Sequence, residues 1–346
     1  MPAKWVSAKP PVRTCGQARA GAVTPGRSPA SGLLQDVRAL AGPRHASAYR
    51  RAATLALPAG IATLLIAMFA MVYPAHAQSD AVARGQYLLH AAGCAICHTR
   101  PEDKDKNTPA GEALAGGRAL DTPFGRFYSP NITPHPELGI GRWSADDLWR
   151  ALSAGVGPGG IHCYPVFPYT SYTRMRREDA DAIHAYLMSV PPRAVRNHAH
   201  EIAWYVRWRF ANRVWKWLFL DAERFAPVAG KDARWNRGAY LVDALGHCGE
   251  CHSPRNRAGA VRREQHLAGN PEGPEGEPVP SIRSDGEDGI GEWSFNEIVT
   301  YLKSGEDPDF DFAGGAMVEV IEDNTSRLSD EDRNAIATYL KDLPAL

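Results

Sequence analysis

The chain has 346 residues, 44% hydrophobic and 23% charged, enough for two domains of ordinary size and too evenly mixed for a low-complexity or disordered protein. Its 39 basic and 39 acidic residues cancel, yet nine of the basic and only Asp36 of the acidic ones lie within residues 1–77. The remaining body carries 30 basic against 38 acidic residues, a balance that argues against nucleic acid, which needs clustered Lys and Arg.

Residues 1–77 read as a leader. Ala52–Tyr73 is almost wholly apolar, follows Arg50 and Arg51, and runs to Ala75-His76-Ala77. A basic start, an apolar run and a small-x-small end describe a secretory signal peptide cleaved near Gln78. At about 20 residues the run also suffices to span a bilayer, so a single N-terminal anchor is the alternative. Both place the body in the periplasm. Residues 1–49 are rich in Arg, Ala and Pro, as a disordered extension or an upstream start codon would leave them.

Asp80–Ala91 is the first helix expected in the body, and it delivers Cys94-Ala95-Ile96-Cys97-His98. Asp232–Ala244 does the same for Cys248-Gly249-Glu250-Cys251-His252. Cys-x-x-Cys-His is the attachment signature of c-type haem. Each cysteine sulfur adds across a haem vinyl group, and the adjacent histidine reaches the iron as proximal ligand. A zinc site would need a second ligand pair close by, and neither copy has one. Cys15 and Cys163 remain, and no disulfide is expected between them.

The body is one unit written twice, at an offset of 150 to 154 residues. Arg84-Gly85-x-Tyr87-Leu88 matches Arg237-Gly238-x-Tyr240-Leu241. Pro130-Asn131-Ile132 matches Pro280-Ser281-Ile282, and Gly139–Ser144 matches Gly289–Ser294. Ser144-x-x-Asp147, Ser294-x-x-Glu297 and Ser329-x-x-Asp332 are capping-box helix starts. The last helix of each copy buries Ile183, Tyr186 and Leu187, or Ile336, Tyr339 and Leu340, and stops at proline. No strand pattern alternates convincingly. The expectation is an all-α fold of two tandem cytochrome c-like haem domains, 78–191 and 231–346, joined by an aromatic-rich linker, 192–230. Within the linker, Trp204–Leu220 mixes aromatics with Arg207, Arg209, Arg213 and Lys216. It reads as a helix packed between the domains, or as an amphipathic contact with a membrane or partner.

A low-spin haem takes a second axial ligand, commonly methionine. Met317 fits that role in the second copy. Phe167 stands where Met317 stands, so the first copy lacks the equivalent. Met175 is the favoured ligand there; packing is its rival reading, leaving the iron five-coordinate or bound by His162, Cys163 or water.

Thr122–Pro134, Tyr164–Tyr172, Gly246–Asn256 and Gly315-Ala316-Met317 resemble the multihaem cytochrome c subunits of bacterial membrane-bound dehydrogenases, the alcohol and gluconate dehydrogenases among them. The resemblance covers about residues 80–346. Best-known members carry three haems and a C-terminal membrane helix, so a dihaem form is expected here. Many have methionine at the Phe167 position, although a Phe-Pro-Tyr variant followed by a methionine like Met175 is also familiar. The resemblance implies an electron relay between a catalytic dehydrogenase subunit and a downstream quinone, cytochrome or oxidase. It implies two covalent haem c groups, no catalytic residues and no nucleic acid. An enzyme, either a dihaem peroxidase or a thiosulfate-oxidising cytochrome, is the alternative that the missing methionine keeps open.

Overall fold

Among the described residues, five helices in the first half are answered by five in the second. The structure is a computed structural model, and it describes Cys15 and residues 78–103, 113–285 and 289–346. The apolar run and cleavage signal expected within Ala52–Ala77 lie outside the described residues. In chain order, α1 (78–91) leads into α2 (Cys94–His98), and strands β1 (Ala119–Thr122) and β2 (Gly125–Tyr128) precede α3 (Ala145–Ala154). Strands β3 (Val156–Gly157) and β4 (Ile161–His162), then α4 (Tyr169–Tyr172) and α5 (Arg177–Ser189), complete the first half. The connector holds β5 (Glu201–Ile202) and α6 (Arg209–Phe219). The second half contains α7 (Ala233–Tyr240), α8 (Gly249–His252), α9 (Phe295–Ser304), α10 (Ala316–Asp323) and α11 (Asp330–Asp342).

Local chemistry sets these boundaries. Ser144 and Ser294 each form a capping box, accepting from the N–H of Asp147 or Glu297 while that residue's carboxylate accepts from the serine N–H. Gly155 and Gly305 end α3 and α9 in the left-handed conformation. Glycine also sets how the first and last helix of each half meet. A Cβ on Gly85 would lie 1.9 Å from the Ala182 carbonyl oxygen of α5, and one on Gly238 would lie 2.0 Å from that of Ala335 in α11. Any side chain there would force the helices apart.

Two expectations need correction. Strands do occur: β1, β2 and β5 form an antiparallel sheet, and β3 pairs with β4. At two to four residues each they are too short to show alternation in the sequence. The aromatics of the connector are also not, for the most part, core. Helix α6 turns Asn212 and Lys216 inward and leaves Phe210 70% and Trp217 83% exposed. The Lys216 ammonium caps α3, donating to the Ala154 and Gly155 carbonyls at 2.8 Å each, and its burial lowers its pKa to about 8. Polar anchoring therefore holds the inner face and leaves the apolar one to solvent.

The two halves share one apolar core, which runs from Leu88, Leu89 and Ile183 to Leu245, Ile298 and Ile336 within a single compact unit. Between Tyr240 and Cys248 the second half gains one residue over the first: Tyr87 and Tyr240 are 153 positions apart, Cys94 and Cys248 are 154. A π-helical turn, Leu241–Leu245, absorbs it, with the Gly246 N–H reaching the Leu241 carbonyl at 2.6 Å. His247 then takes the left-handed backbone (φ 42°) that Gly93 takes in the first half (φ 61°).

Candidate functional site

Each Cys-x-x-Cys-His motif forms one short helical segment, with both cysteines and the histidine at i, i+3 and i+4 on one face. The same scaffold holds both. The Gly116 N–H donates to the His98 carbonyl and the Gly269 N–H to the His252 carbonyl, each at 2.8 Å. The Leu114 N–H donates to Thr99 Oγ1 at 3.1 Å, and the Leu267 N–H to Ser253 Oγ at 2.9 Å. These leucine carbonyls in turn accept from the N–H groups of Ile132 and Ile282, which clips the Pro-x-Ile segment of each half against its motif.

That clip decides the chemistry of the histidines. His98 Nδ1 lies 2.7 Å from the Pro130 carbonyl oxygen, and His252 Nδ1 lies 2.8 Å from that of Pro280. A carbonyl can only accept, so Nδ1 carries the proton and Nε2 keeps its lone pair for a metal. Burial lowers both histidine pKa values, which favours the neutral, ligating form. The four motif cysteines are free of disulfides. Burial first, then Cys97, pushes the Cys94 thiol up to about 12. Burial, Asp243 and Cys251 do the same for Cys248. Among the described residues neither motif gathers the further His, Cys, Asp or Glu side chains that a zinc site needs, so each cysteine pair with its oriented imidazole suits haem attachment better.

Contacts cross between the halves at the motifs themselves. Glu250, inside the second motif, accepts from Thr170 Oγ1 at 2.6 Å and Ser171 Oγ at 3.2 Å in the first half. Arg118 donates to the Ile96 carbonyl inside the first motif at 2.8 Å and pairs with Glu319 of α10 in the second half.

A family model described as Cytochrome c matches residues 82–191. Over 301 residues the chain is 40% identical to the "Diheme cytochrome c-type" protein of Cereibacter sphaeroides, covering 84% of this chain and 98% of that protein. It is 37% identical over 285 residues to the gluconate 2-dehydrogenase cytochrome c subunit of Pantoea cypripedii, covering 80% of this chain and 63% of the relative. The fructose dehydrogenase cytochrome subunit of Gluconobacter japonicus is 37% identical over 274 residues, 79% of this chain and 54% of that protein. The chain belongs to the c-type cytochrome family that includes the cytochrome subunits of bacterial dehydrogenases. It spans nearly all of the first relative and under two thirds of the other two.

The remaining candidate residues of this cytochrome are placed less symmetrically. Met317 lies in the first turn of α10 and is half-buried, and α10 packs against α2 of the other half. Met175 is fully buried in the core, its N–H bonded to the Tyr172 carbonyl, and Leu328, its counterpart, is buried as well. Phe167 packs its ring 5.8 Å from that of Tyr172. His162 lies on β4, its Nδ1 buried without a hydrogen-bond partner and its pKa lowered to about 4, chiefly by burial. Cys163 is not unpaired as expected: it forms a disulfide with Cys15, their Cα atoms 5.2 Å apart, a separation a disulfide readily spans. Sequence reasoning missed the part played by Pro130 and Pro280. The matched Pro-x-Ile segments were the available signal, but a carbonyl's role leaves no mark on residue type.

Proposed function

We propose that this cytochrome is a dihaem electron relay of the periplasm, taking electrons from a catalytic dehydrogenase subunit and passing them towards the respiratory chain. The observation that carries the reading is the pair of attachment motifs, each with its histidine Nδ1 held by a proline carbonyl. Residues 78–191 and 231–346 are then the two haem domains and 192–230 the linker, as the sequence repeat supports. Cys94, Cys97, Cys248 and Cys251 attach haem, and His98 and His252 are the proximal ligands. Met317 is the distal ligand in the second domain and Met175 in the first. Bound haem supplies the one-electron redox chemistry. The chain's own residues hold the imidazoles in the ligating tautomer.

The outward face of α6, with Phe210, Val214, Trp217 and Leu218 at helical spacing beside exposed Arg213, lies on a membrane surface in this reading. Aromatic residues backed by arginine suit the lipid headgroup region. Among the described residues no helix is long and apolar enough to cross a membrane. Phe167 at the position matching Met317 supports the enzymatic alternative, because a haem without methionine keeps an open face. Intact mass of the protein expressed in a periplasm, combined with turnover assays, decides between them. Two covalent haems with no peroxide or thiosulfate turnover are expected. A single haem would overturn the dihaem assignment, and rapid turnover without a partner would overturn the relay.

A further inference from the structure

The repeated Arg-Gly-x-Tyr-Leu helices do something that repetition alone does not require. Arg84 pairs with Asp179 inside the first half, and Arg237 grips Asp332 inside the second through Nε at 2.8 Å and a terminal nitrogen at 2.6 Å. The tyrosines one turn on cross over instead. Tyr87 Oη donates to Asp332 at 2.6 Å, and Tyr240 Oη donates to Asp179 at 2.5 Å. Each hydroxyl also accepts from a backbone N–H of the opposite half, Ser329 for Tyr87 at 3.1 Å and Arg176 for Tyr240 at 3.0 Å. Tyrosines, aspartates and backbone donors are all 153 positions from their counterparts, so the contact is reciprocal, as in a two-fold interface between identical subunits.

Asp179 is fully buried, as is Tyr240, and Asp332 is nearly so. A carboxylate in such a place needs its partners, which makes the geometry of the clamp strict. The helices that carry the tyrosines run directly into the haem motifs. Where they end, a Cβ on Gly93 would lie 3.6 Å from the His247 ring, so the residues just before Cys94 and Cys248 are neighbours across the same interface. Tilting α1 against α7 would move one motif relative to the other.

We propose that the Tyr87–Asp332 and Tyr240–Asp179 clamps are positioning contacts that fix the spacing and angle between the two haem-attachment motifs, holding two irons as one rigid pair. The proposal rests on the dihaem reading above. Holoprotein variants Tyr87→Phe, Tyr240→Phe and the double variant keep the rings and remove only the hydroxyls. Pulsed electron paramagnetic resonance reads the iron–iron distance distribution, redox titration reads the difference between the two haem potentials, and hydrogen exchange reads the Arg176 and Ser329 amides. The double variant is expected to broaden the distance distribution, shift the potential difference and speed exchange at both amides, with single variants intermediate. If the double variant fails to fold, the single variants carry the same reading. An unchanged distance distribution and potential difference, whatever the melting temperature or exchange, overturns the proposal and leaves the clamps as stabilising contacts. Intact mass of the unsubstituted protein separates the two ideas. Fewer than two haems sinks the dihaem reading together with this one, whereas two haems with unaltered coupling sinks this one alone.

Discussion

His98 and His252 owe their chemistry to a backbone atom 32 and 28 residues downstream, and the methionines owe theirs to where the chain leaves them. Met317 sits half-buried in the first turn of a helix. Met175 is fully buried, which both a ligand and a packing residue would be. Alanine substitution separates these roles. Met317→Ala is expected to abolish the ferric methionine–iron charge-transfer band of one haem and make it high-spin. Met175→Ala is expected to do the same to the other. Loss of a buried methionine side chain also costs about 2–5 kcal/mol, so the melting temperature should fall whichever role holds. Spin state is therefore the deciding readout. A Met175→Ala protein that melts earlier with both haems still low-spin would make Met175 packing and give the first haem another sixth ligand, whereas a first haem that is high-spin before any substitution would strengthen the enzymatic alternative. The Cys15–Cys163 disulfide adds a constraint at this scale: cleavage after Ala77 would remove Cys15 and leave Cys163 as a free thiol.

Helix α6 shows at the scale of an element how far residue pattern reaches. Phe210, Val214, Trp217 and Leu218 lie along one face, and the sequence shows that stripe plainly, but periodicity does not say which face meets the core. Two inward hydrogen bonds from Lys216 settle it. If the outer face rests on lipid, Phe210→Glu and Trp217→Glu should each weaken cosedimentation with anionic phospholipid vesicles roughly tenfold or more, since a buried aromatic contributes about 1.5–3 kcal/mol. Both positions are exposed, so the fold and the haem spectra should be unaffected. Binding unchanged by both substitutions together would remove the membrane from the reading. Elsewhere the sequence was more legible. Capping boxes at Ser144 and Ser294 and the terminal helices are where the residues put them. The π turn was half legible: the shift in repeat spacing from 153 to 154 was there to be seen, but not how the backbone would absorb it. The crossed tyrosines were not legible at all, because Arg-Gly-x-Tyr-Leu reads the same whether its hydroxyl closes within its own half or reaches across.

At the scale of the whole molecule, joining the halves through ionisable groups makes their association depend on pH. Asp332 faces Arg237 from α7, Tyr87 from α1 and the Ser329 segment at the start of its own helix. Burial works against its ionisation, but the bonds from Arg237 and Tyr87 outweigh burial and hold its pKa below the ordinary carboxylate value. A depressed carboxylate pKa adds stability that is fully present above the unfolded-state value, about 3.9, and is lost as pH falls through the folded one. Tyr87 is shifted the other way, raised by burial and then by its bond to Asp332. Its contribution is complete below the unfolded-state value, about 10, and disappears as pH rises through the folded one. The Tyr87–Asp332 pair should therefore support the interface between about pH 4 and pH 10 and fail on either side. A hydrogen bond to a charged group contributes about 1.5–3 kcal/mol, and replacing Tyr87 by Phe should remove most of that inside the window. Denaturant unfolding of the holoprotein from pH 3 to pH 11, with and without Tyr87→Phe, measures it. The two stability curves are expected to lie apart at neutral pH and converge at both extremes. Curves that stay parallel across the range would show that the hydroxyl acts through packing, and that the charge of Asp332 plays no part in holding the halves together.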